Sequence, residues 1–250
     1  MKISIITICF NSALTIEDAI KSVVAQTYHD IEYIIIDGAS KDSTMSIIEK
    51  YRDNIAQVVS EKDKGIYDAM NKGVKLATGD IIGILNSDDL YADNGVLSDV
   101  VNCFVNDSEL DILYGDLVYV KNQKTNKIVR YWKSVPYYNN FFEDANVPPH
   151  PALFVKSEIY SKVGLFKTDY KFSADYEFML RIFKDYNFKS KYINRLIVKM
   201  RLGGATNKSF KNIINGNKEI LRAWKENSLS PPITLMPSKI IKRLIQFIIK

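Results

Sequence analysis

The chain has 250 residues, 46% of them hydrophobic and 25% charged, and its 34 basic against 29 acidic side chains leave a net charge of +5. That length buries a large core, as one α/β domain or one domain with appendages. A charge excess this small suits phosphate-bearing substrates or an anionic membrane surface and argues against nucleic acid. Two cysteines, Cys9 and Cys103, sit in unrelated apolar settings and imply neither a disulfide framework nor a zinc site.

Met1-Lys2 leads straight into a strand rather than a signal peptide, and no apolar run approaches the ~18 residues of a spanning helix. The expectation is a protein made and kept in the cytoplasm. Ile3 to Ile8 forms an apolar, β-branched strand, and Asn11-Ser12 can cap a helix that buries Ile16, Ala19, Ile20 and Val23. Tyr33 to Ile36 is the second strand, closed by Asp37-Gly38-Ala39-Ser40. A helix capped by Asp42 or Ser43 runs through Tyr51, and Gln57 to Ser60 makes a short third strand. A helix over Ile66 to Leu76 then precedes the strand Ile81 to Leu85, which ends in Asn86-Ser87-Asp88-Asp89. Strands that are apolar throughout and alternate with helices predict an α/β fold, a mostly parallel sheet covered on both faces. Ligands bind such sheets outside the carboxyl ends of the strands. Thr7 to Asn11, Asp37 to Ser40, Glu61 to Gly65 and Asn86 to Asp89 should therefore gather along one edge.

The pattern changes after Asp111. Leu113 to Val120 and Lys127 to Trp132 read as a hairpin with a polar loop, followed by an aromatic-rich stretch and the stiff Pro148-Pro149-His150-Pro151. Ala152 to Val155 resumes a strand, Ser173 to Tyr186 a helix, and Phe188 to Ile193 and Leu196 to Met200 two further strands. The chain ends in a helix from Lys208 to Glu226 and another after Pro237. Three parts are expected: 1–110 for the nucleotide sugar, 111–205 for acceptor and catalysis, and 206–250 as a helical extension.

Two adjacent carboxylates repel unless a cation lies beside them, so Asp88-Asp89 at a strand end anticipates a metal; a turn plus helix cap is the plain alternative. The near absence of histidine favours Mg2+ or Mn2+ over zinc, held together with substrate phosphates. Asp37 reads either as a contact to a base or ribose, or as part of a tight turn in which Gly38 supplies positive φ. Lys64 reads as a solvated lysine or as a cation for a diphosphate beside a helix N-terminus. In the 173–186 helix, Tyr176, Met179, Leu180 and Phe183 define a buried stripe, and Glu177 with Arg181 forms an exposed pair one turn apart. Asp175, at the border of that stripe, can lean into a cleft as a general base or merely complement the helix dipole. His150 reads as a packing or surface histidine, or as a contact to phosphate or acceptor. Arg201-Leu202-Gly203-Gly204 reads as a turn or a loop over phosphates. Trp132, Tyr137, Tyr138, Phe141 and Phe142 complete a core or stack on sugars.

Taken together, these segments resemble the inverting glycosyltransferases of family 2, with the GT-A fold. The resemblance rests on Ser4-Ile5-Ile6-Thr7, Ile36-Asp37-Gly38-Ala39-Ser40, Ser60-Glu61-Lys62-Asp63-Lys64-Gly65-Ile66-Tyr67-Asp68-Ala69-Met70-Asn71-Lys72-Gly73, Thr78-Gly79-Asp80, Asn86-Ser87-Asp88-Asp89 and Ala174-Asp175-Tyr176-Glu177, and covers about residues 1 to 200. It implies Asp89 as the main ligand of Mn2+ or Mg2+, and Asp88 at the cation and at the ribose or donor sugar. It places Thr7 and Asp37 along the base, Lys64 near base or phosphates, and Asp175 as the catalytic base. Gly38 stands where many relatives have a second aspartate, and Ser87-Asp88-Asp89 replaces a literal Asp-x-Asp. The implied reaction moves a sugar, UDP-linked as the favoured donor, to a hydroxyl of a glycan acceptor by one inverting displacement. Relatives of this length commonly build bacterial surface polysaccharides on a polyprenyl diphosphate carrier. A sugar-1-phosphate nucleotidyltransferase or dinucleotide oxidoreductase lacks its glycine-rich loop here; a nucleotide-sugar or glycan binding subunit without turnover is the alternative outside enzymes. The C-terminal segment, with Lys239, Lys242, Arg243 and Lys250 among Ile240, Ile241, Leu244, Ile245, Phe247, Ile248 and Ile249, either lies on the anionic inner leaflet as a peripheral anchor or packs on protein.

Overall fold

The computed structural model describes residues 1–186, 188–203 and 209–246. Gly204, Lys208 and the closing residues Phe247 to Lys250, on which parts of the sequence reading rest, lie outside them.

The four expected strands β1 (Ile3–Cys9), β2 (Ile31–Asp37), β3 (Gln57–Ser60) and β4 (Ile81–Ile84) pair in parallel in the order β3-β2-β1-β4. Helices α1 (Ile16–Val24), α2 (Thr44–Glu49) and α3 (Ile66–Leu76) connect them. Pleating sends alternate residues of β1 to opposite faces. Ile3, Ile5 and Cys9 join a core with Ile16, Ile20 and Val23 of α1, while Ile6 and Ile8 pack with Met70 and Val74 of α3. A strand covered on both sides is mostly apolar, and its two polar residues are buried with partners, Ser4 Oγ donating to Glu32 Oε2 at 2.5 Å and the Thr7 hydroxyl accepting from Tyr33 at 3.1 Å.

The second half continues the sheet through β5 (Asp89–Tyr91), β6 (Ile112–Lys121), β7 (Lys124–Trp132), β8 (Leu153–Lys156) and β9 (Ser190–Arg201), with α4 (Val96–Asn106), α5 (Ser157–Val163) and α6 (Ala174–Leu180) between them. β8 pairs antiparallel with β4 and β6, β6 runs parallel to β9, and β9 pairs antiparallel with β5. With β7 on β6, the described residues hold one mixed sheet of nine strands. The two strands read between 188 and 200 are one, β9, which passes irregularities in register along β6. The helix read over 173–186 gives way at Arg181–Asp185 to a π-helical turn. Short β5 lies where a turn was expected, because its partner β9 comes far later in the chain.

The C-terminal extension consists of α7 (Phe210–Glu226) and α8 (Leu235–Ile245). α7 buries Ile220, Ala223 and Trp224 in the core on the α3 and α6 face, and Trp224 Nε1 donates to the Tyr176 hydroxyl at 2.8 Å. α8 is docked by buried Leu235, by Tyr131 N donating to Gln246 O at 3.0 Å, and by Lys242 on Asn146. Ile240, Ile241, Leu244 and Ile245 remain exposed while Lys239 and Lys242 are half-buried. α8 therefore packs on its own domain with polar groups inward and an apolar face outward.

Candidate active site

The loops after β1 to β4 meet at the carboxyl edge. Gly38 N donates to Cys9 O at 2.9 Å, Asn11 N to Ser40 Oγ at 2.8 Å, and Ser87 N to Ile8 O at 3.3 Å; the Ser12 and Ser87 hydroxyls lie 2.9 Å apart. Asp37 ties this edge together. Its Oδ2 accepts from Ser60 Oγ at 2.6 Å and Ser40 N at 3.0 Å, and its Oδ1 from the Ser40 hydroxyl and from Cys9 Sγ at 3.6 Å. Asp37 is wholly buried, and so is Thr7, whose hydroxyl accepts from Tyr33 at 3.1 Å. Both side chains are engaged with protein partners along this edge. The positive φ expected at Gly38 falls instead on Ala39, at 61°. Gly38 meets a different demand: a Cβ there would stand 2.5 Å from Asp63 Oδ2. Lys64 is exposed on the loop before α3, its backbone N–H donating to Asp68 at 2.9 Å.

Beside this edge lies the acidic turn. Asp89 opens β5, paired with Met200 of β9, and is wholly buried. Its Oδ2 accepts from Asn86 Nδ2 at 3.1 Å, whereas Oδ1 has no hydrogen-bond partner among the described residues. Burial and the neighbouring Asp88 charge push its carboxyl well above the usual range, against opposing contributions from Asn86 and Arg201. An orphaned buried oxygen beside a second carboxylate is the arrangement a divalent cation relieves. Groups of three or more His, Cys, Asp or Glu that could hold a metal are absent among the described residues, so two aspartates would share the ion with diphosphate oxygens and water.

The same turn reaches Asp175. The antiparallel pairing of β8 with β4 sets the start of β8 next to the end of β4, and His150 stands there in a short 3-10 turn before β8. His150 Nε2 lies 3.5 Å from Asn86 Nδ2, and Nδ1 lies 3.2 Å from Asp175 Oδ2. Asp175 Oδ1 accepts from the Tyr67 hydroxyl of α3 at 2.9 Å. Burial and then the Asp175 charge hold the Tyr67 phenol well above its ordinary value. Asp175 and His150 line a cavity of about 20 Å³ together with Met70, Ile84, Leu153 and Phe178, room for about one water. The structure thus brings Asp89, Asp175 and His150 together, with Lys64 on one of the loops of the same edge.

The family described as Glycosyl transferase family 2 matches residues 4–158. The chain belongs to that family. An uncharacterized glycosyltransferase of Mycobacterium tuberculosis is 33% identical over 181 residues, 72% of this chain and 68% of the relative. A PGL/p-HBAD biosynthesis glycosyltransferase of Mycobacterium bovis is 28% identical over 209 residues, 82% of this chain and 78% of the relative. Among solved structures, S. aureus TarS 1-349 in complex with UDP superposes with a TM-score of 0.67 at 17% identity, covering 95% of this chain and 68% of that one. The mannosyltransferase PcManGT from Pyrobaculum calidifontis, in complex with GDP-Man and Mn2+, superposes at 0.65 and 17% identity, covering 96% and 73%. These likenesses fix the GT-A architecture of this family 2 glycosyltransferase.

Two parts of the site differ from the sequence reading. Glu177 is not a surface residue: it is fully buried, with Oε2 2.9 Å from Arg181 Nη2 and Oε1 2.9 Å from Lys167 Nζ. Arg201 lies in a strand rather than a turn. It ends β9, and its buried guanidinium donates to Asp88 O at 3.0 Å and Asn122 O at 2.9 Å and pairs with Asp18, bracing the acidic turn. Phe141 and Phe142 are core residues; Tyr137 is half-buried and Tyr138 exposed. Sequence reasoning missed Asn86 and Tyr67. Both stand in segments that carry the family resemblance, Asn86 directly after the apolar strand, but neither has a role of its own in the sequence reading. α8 adds Lys239, bonded to Asn217 Oδ1 at 2.9 Å; burial and then Arg243 push its ammonium down to about 8, while the Asp175 charge opposes them.

Proposed function

We propose that this glycosyltransferase moves a sugar from a nucleoside-diphosphate sugar to a hydroxyl of a glycan acceptor, with inversion by a single displacement. The observation that carries the reading is the continuous contact from Asp89 through Asn86 and His150 to Asp175 at the carboxyl edge of the sheet. It sets a carboxylate able to accept a proton beside an acidic turn able to receive a charged leaving group. Asp89, with Asp88, would hold Mn2+ or Mg2+ against the donor diphosphate. A bound cation there neutralises the charge that develops on the departing nucleoside diphosphate. Lys64, exposed on the loop before α3, would supply a cation to the same phosphates. Asp175 takes the proton of the acceptor hydroxyl as that oxygen attacks the anomeric carbon, and inversion follows from one displacement. Asp37 keeps the β2 and β3 loops in register for the base rather than touching it.

The nucleotide-bound neighbours favour UDP or GDP as the leaving group. Residues 1–110 bind the donor in this scheme, 111–205 the acceptor, and 206–250 closes the acceptor side. The exposed isoleucines and leucine of α8 fit a peripheral seat on the inner face of the membrane, next to a polyprenyl-diphosphate-linked acceptor. The test is a screen of UDP- and GDP-sugars with Mn2+, scored for release of nucleoside diphosphate to water or acceptor. Release that disappears with a chelator supports the scheme; saturable binding of the same donors without any release makes the protein a binding subunit instead.

A further inference from the structure

Asp175 is held at both oxygens, by the Tyr67 hydroxyl at 2.9 Å and by His150 Nδ1 at 3.2 Å. A carboxylate only accepts, so Nδ1 carries a hydrogen. The other ring nitrogen faces Asn86 Nδ2 at 3.5 Å, and that same amide nitrogen donates to Asp89 Oδ2 at 3.1 Å. In this structure Nδ2 faces Asp89, and Asn86 Oδ1 is buried without a partner among the described residues; with Asp89 ionised, the reverse orientation would set the amide oxygen against a carboxylate. An amide nitrogen has two hydrogens. One goes to Asp89 and the other to the ring, so Nε2 accepts. Only the neutral imidazole protonated at Nδ1 satisfies both neighbours; any form with a hydrogen on Nε2 sets donor against donor.

We propose that His150 and Asn86 are positioning residues for Asp175: Asn86, oriented by Asp89, commits the His150 ring to the Nδ1–H tautomer, and that N–H fixes the plane of the Asp175 carboxylate. The inference rests on the transferase reading, in which Asp175 receives the acceptor proton. His150 itself exchanges no proton with substrate. Its place is set by rigid elements. Pro149 and Pro151 flank it and restrict the backbone, and the strand it leads into pairs with β4, whose end carries Asn86. Tyr67 on α3 holds the opposite oxygen, so the carboxylate is fixed between one side chain from α3 and one from the turn before β8. The carboxylate, 22% exposed, keeps acceptor directions beyond these two in a plane set in advance of the reaction, and pre-set orientation lowers a barrier.

The chain contains two histidines, and the other, His29, is exposed. NMR of histidine labelled at its ring nitrogens therefore reads His150 without any substrate. The expected spectrum shows one ring protonated at Nδ1 and bare at Nε2, and in Asn86→Ala, where nothing donates to Nε2, a gain of Nε2–H beside the retained Nδ1–H. Kinetics give a second reading, with UDP-GlcNAc and GDP-mannose as probes in the presence of Mn2+. His150→Asn keeps an N–H near the Nδ1 position, whereas His150→Gln moves it toward Nε2. His150→Gln is expected to lose about 10- to 100-fold in kcat and His150→Asn only about threefold, with the Kd for UDP changed less than about twofold in either. An Nε2–H ring in the wild type overturns the proposal, as does an equal loss in both variants accompanied by weaker UDP binding, which would make His150 a diphosphate contact. Wild-type protein that releases nothing from either donor counts against the transferase reading, while the spectrum still decides the tautomer.

Discussion

Replacing Glu177 by Gln separates two incompatible views of the helix that carries Asp175. From the sequence, Glu177 and Arg181 form an exposed pair one turn apart, worth ~0.3–0.5 kcal/mol. In the structure the Glu177 side chain has no exposed surface and Arg181 only 12%, and the guanidinium is further bonded to the Leu165 carbonyl at 2.9 Å. Lys167, 35% exposed, bridges Glu177 to Glu226, and Asn227 Nδ2 approaches Glu177 Oε1 at 3.4 Å. The pair thus clamps α6 to the loop after α5 and to the end of α7. Removing one partner of a buried ion pair costs about 3–5 kcal/mol. Solvent reaching Lys167 screens part of that, which puts Glu177→Gln near about 3 kcal/mol. For a chain of this size about 1 kcal/mol moves Tm by about 2–4 °C, so the expected fall is about 6–12 °C, with a matching drop in the urea midpoint. Thermal unfolding followed by circular dichroism measures it. A fall under about 2 °C would refute the burial argument and return Glu177 to the surface.

Glu32, nearly buried at the opposite edge of the sheet, offers a pH signature. Burial alone would push its carboxyl up, but bonds from Ser4, Thr78 and Lys2 outweigh it and hold it at about 2, below the unfolded value of 4.5. Its contribution, about 3 kcal/mol at 1.36 kcal/mol per pH unit, is complete above about pH 4.5 and lost as pH falls through about 2. The stability gap between wild type and Glu32→Gln should close over that window; a gap constant from pH 7 to pH 2 contradicts it. Tyr67→Phe removes one of the two bonds on Asp175 and is expected to lower kcat about tenfold with UDP affinity unchanged, whereas an unchanged kcat would show that the hydroxyl orients nothing. Leu244→Asp places a charge on the exposed face of α8 and should sharply reduce co-sedimentation with phosphatidylglycerol vesicles while leaving Tm within about 2 °C. Equal sedimentation of both proteins removes the membrane seat.

The parallel half of the sheet was legible because its signals are local. Ile3 to Ile8, Tyr33 to Ile36 and Ile81 to Leu85 are predominantly apolar, and the loops that follow them do converge, so the edge that gathers the site could be placed from order alone. The acidic turn and Asp175 were legible as residue types at strand and helix ends. What escaped depends on partners distant in sequence. Glu177 looks exposed until Lys167 and Asn227 close over it, and β5 exists only through pairing with β9. His150 reads as an ordinary loop histidine unless one knows that β8 lies against β4, beside Asn86. α8 has an amphipathic sequence, but the helix turns Lys239 and Lys242 inward to Asn217 and Asn146 and leaves its isoleucines outside. Periodicity finds the two faces of a helix and does not say which one the domain covers.

The division of labour between Asp89 and Asp175 is tested most directly by titrating UDP into wild type, Asp89→Ala and Asp175→Asn by calorimetry with and without Mn2+, alongside nucleoside diphosphate release from the donor that wild type accepts. Asp89→Ala is expected to lose the Mn2+-dependent part of UDP binding. Asp175→Asn is expected to bind UDP as wild type does and to release product about 10²–10⁴-fold more slowly. Mn2+-dependent binding that survives in Asp89→Ala, or undiminished release by Asp175→Asn, would contradict the account.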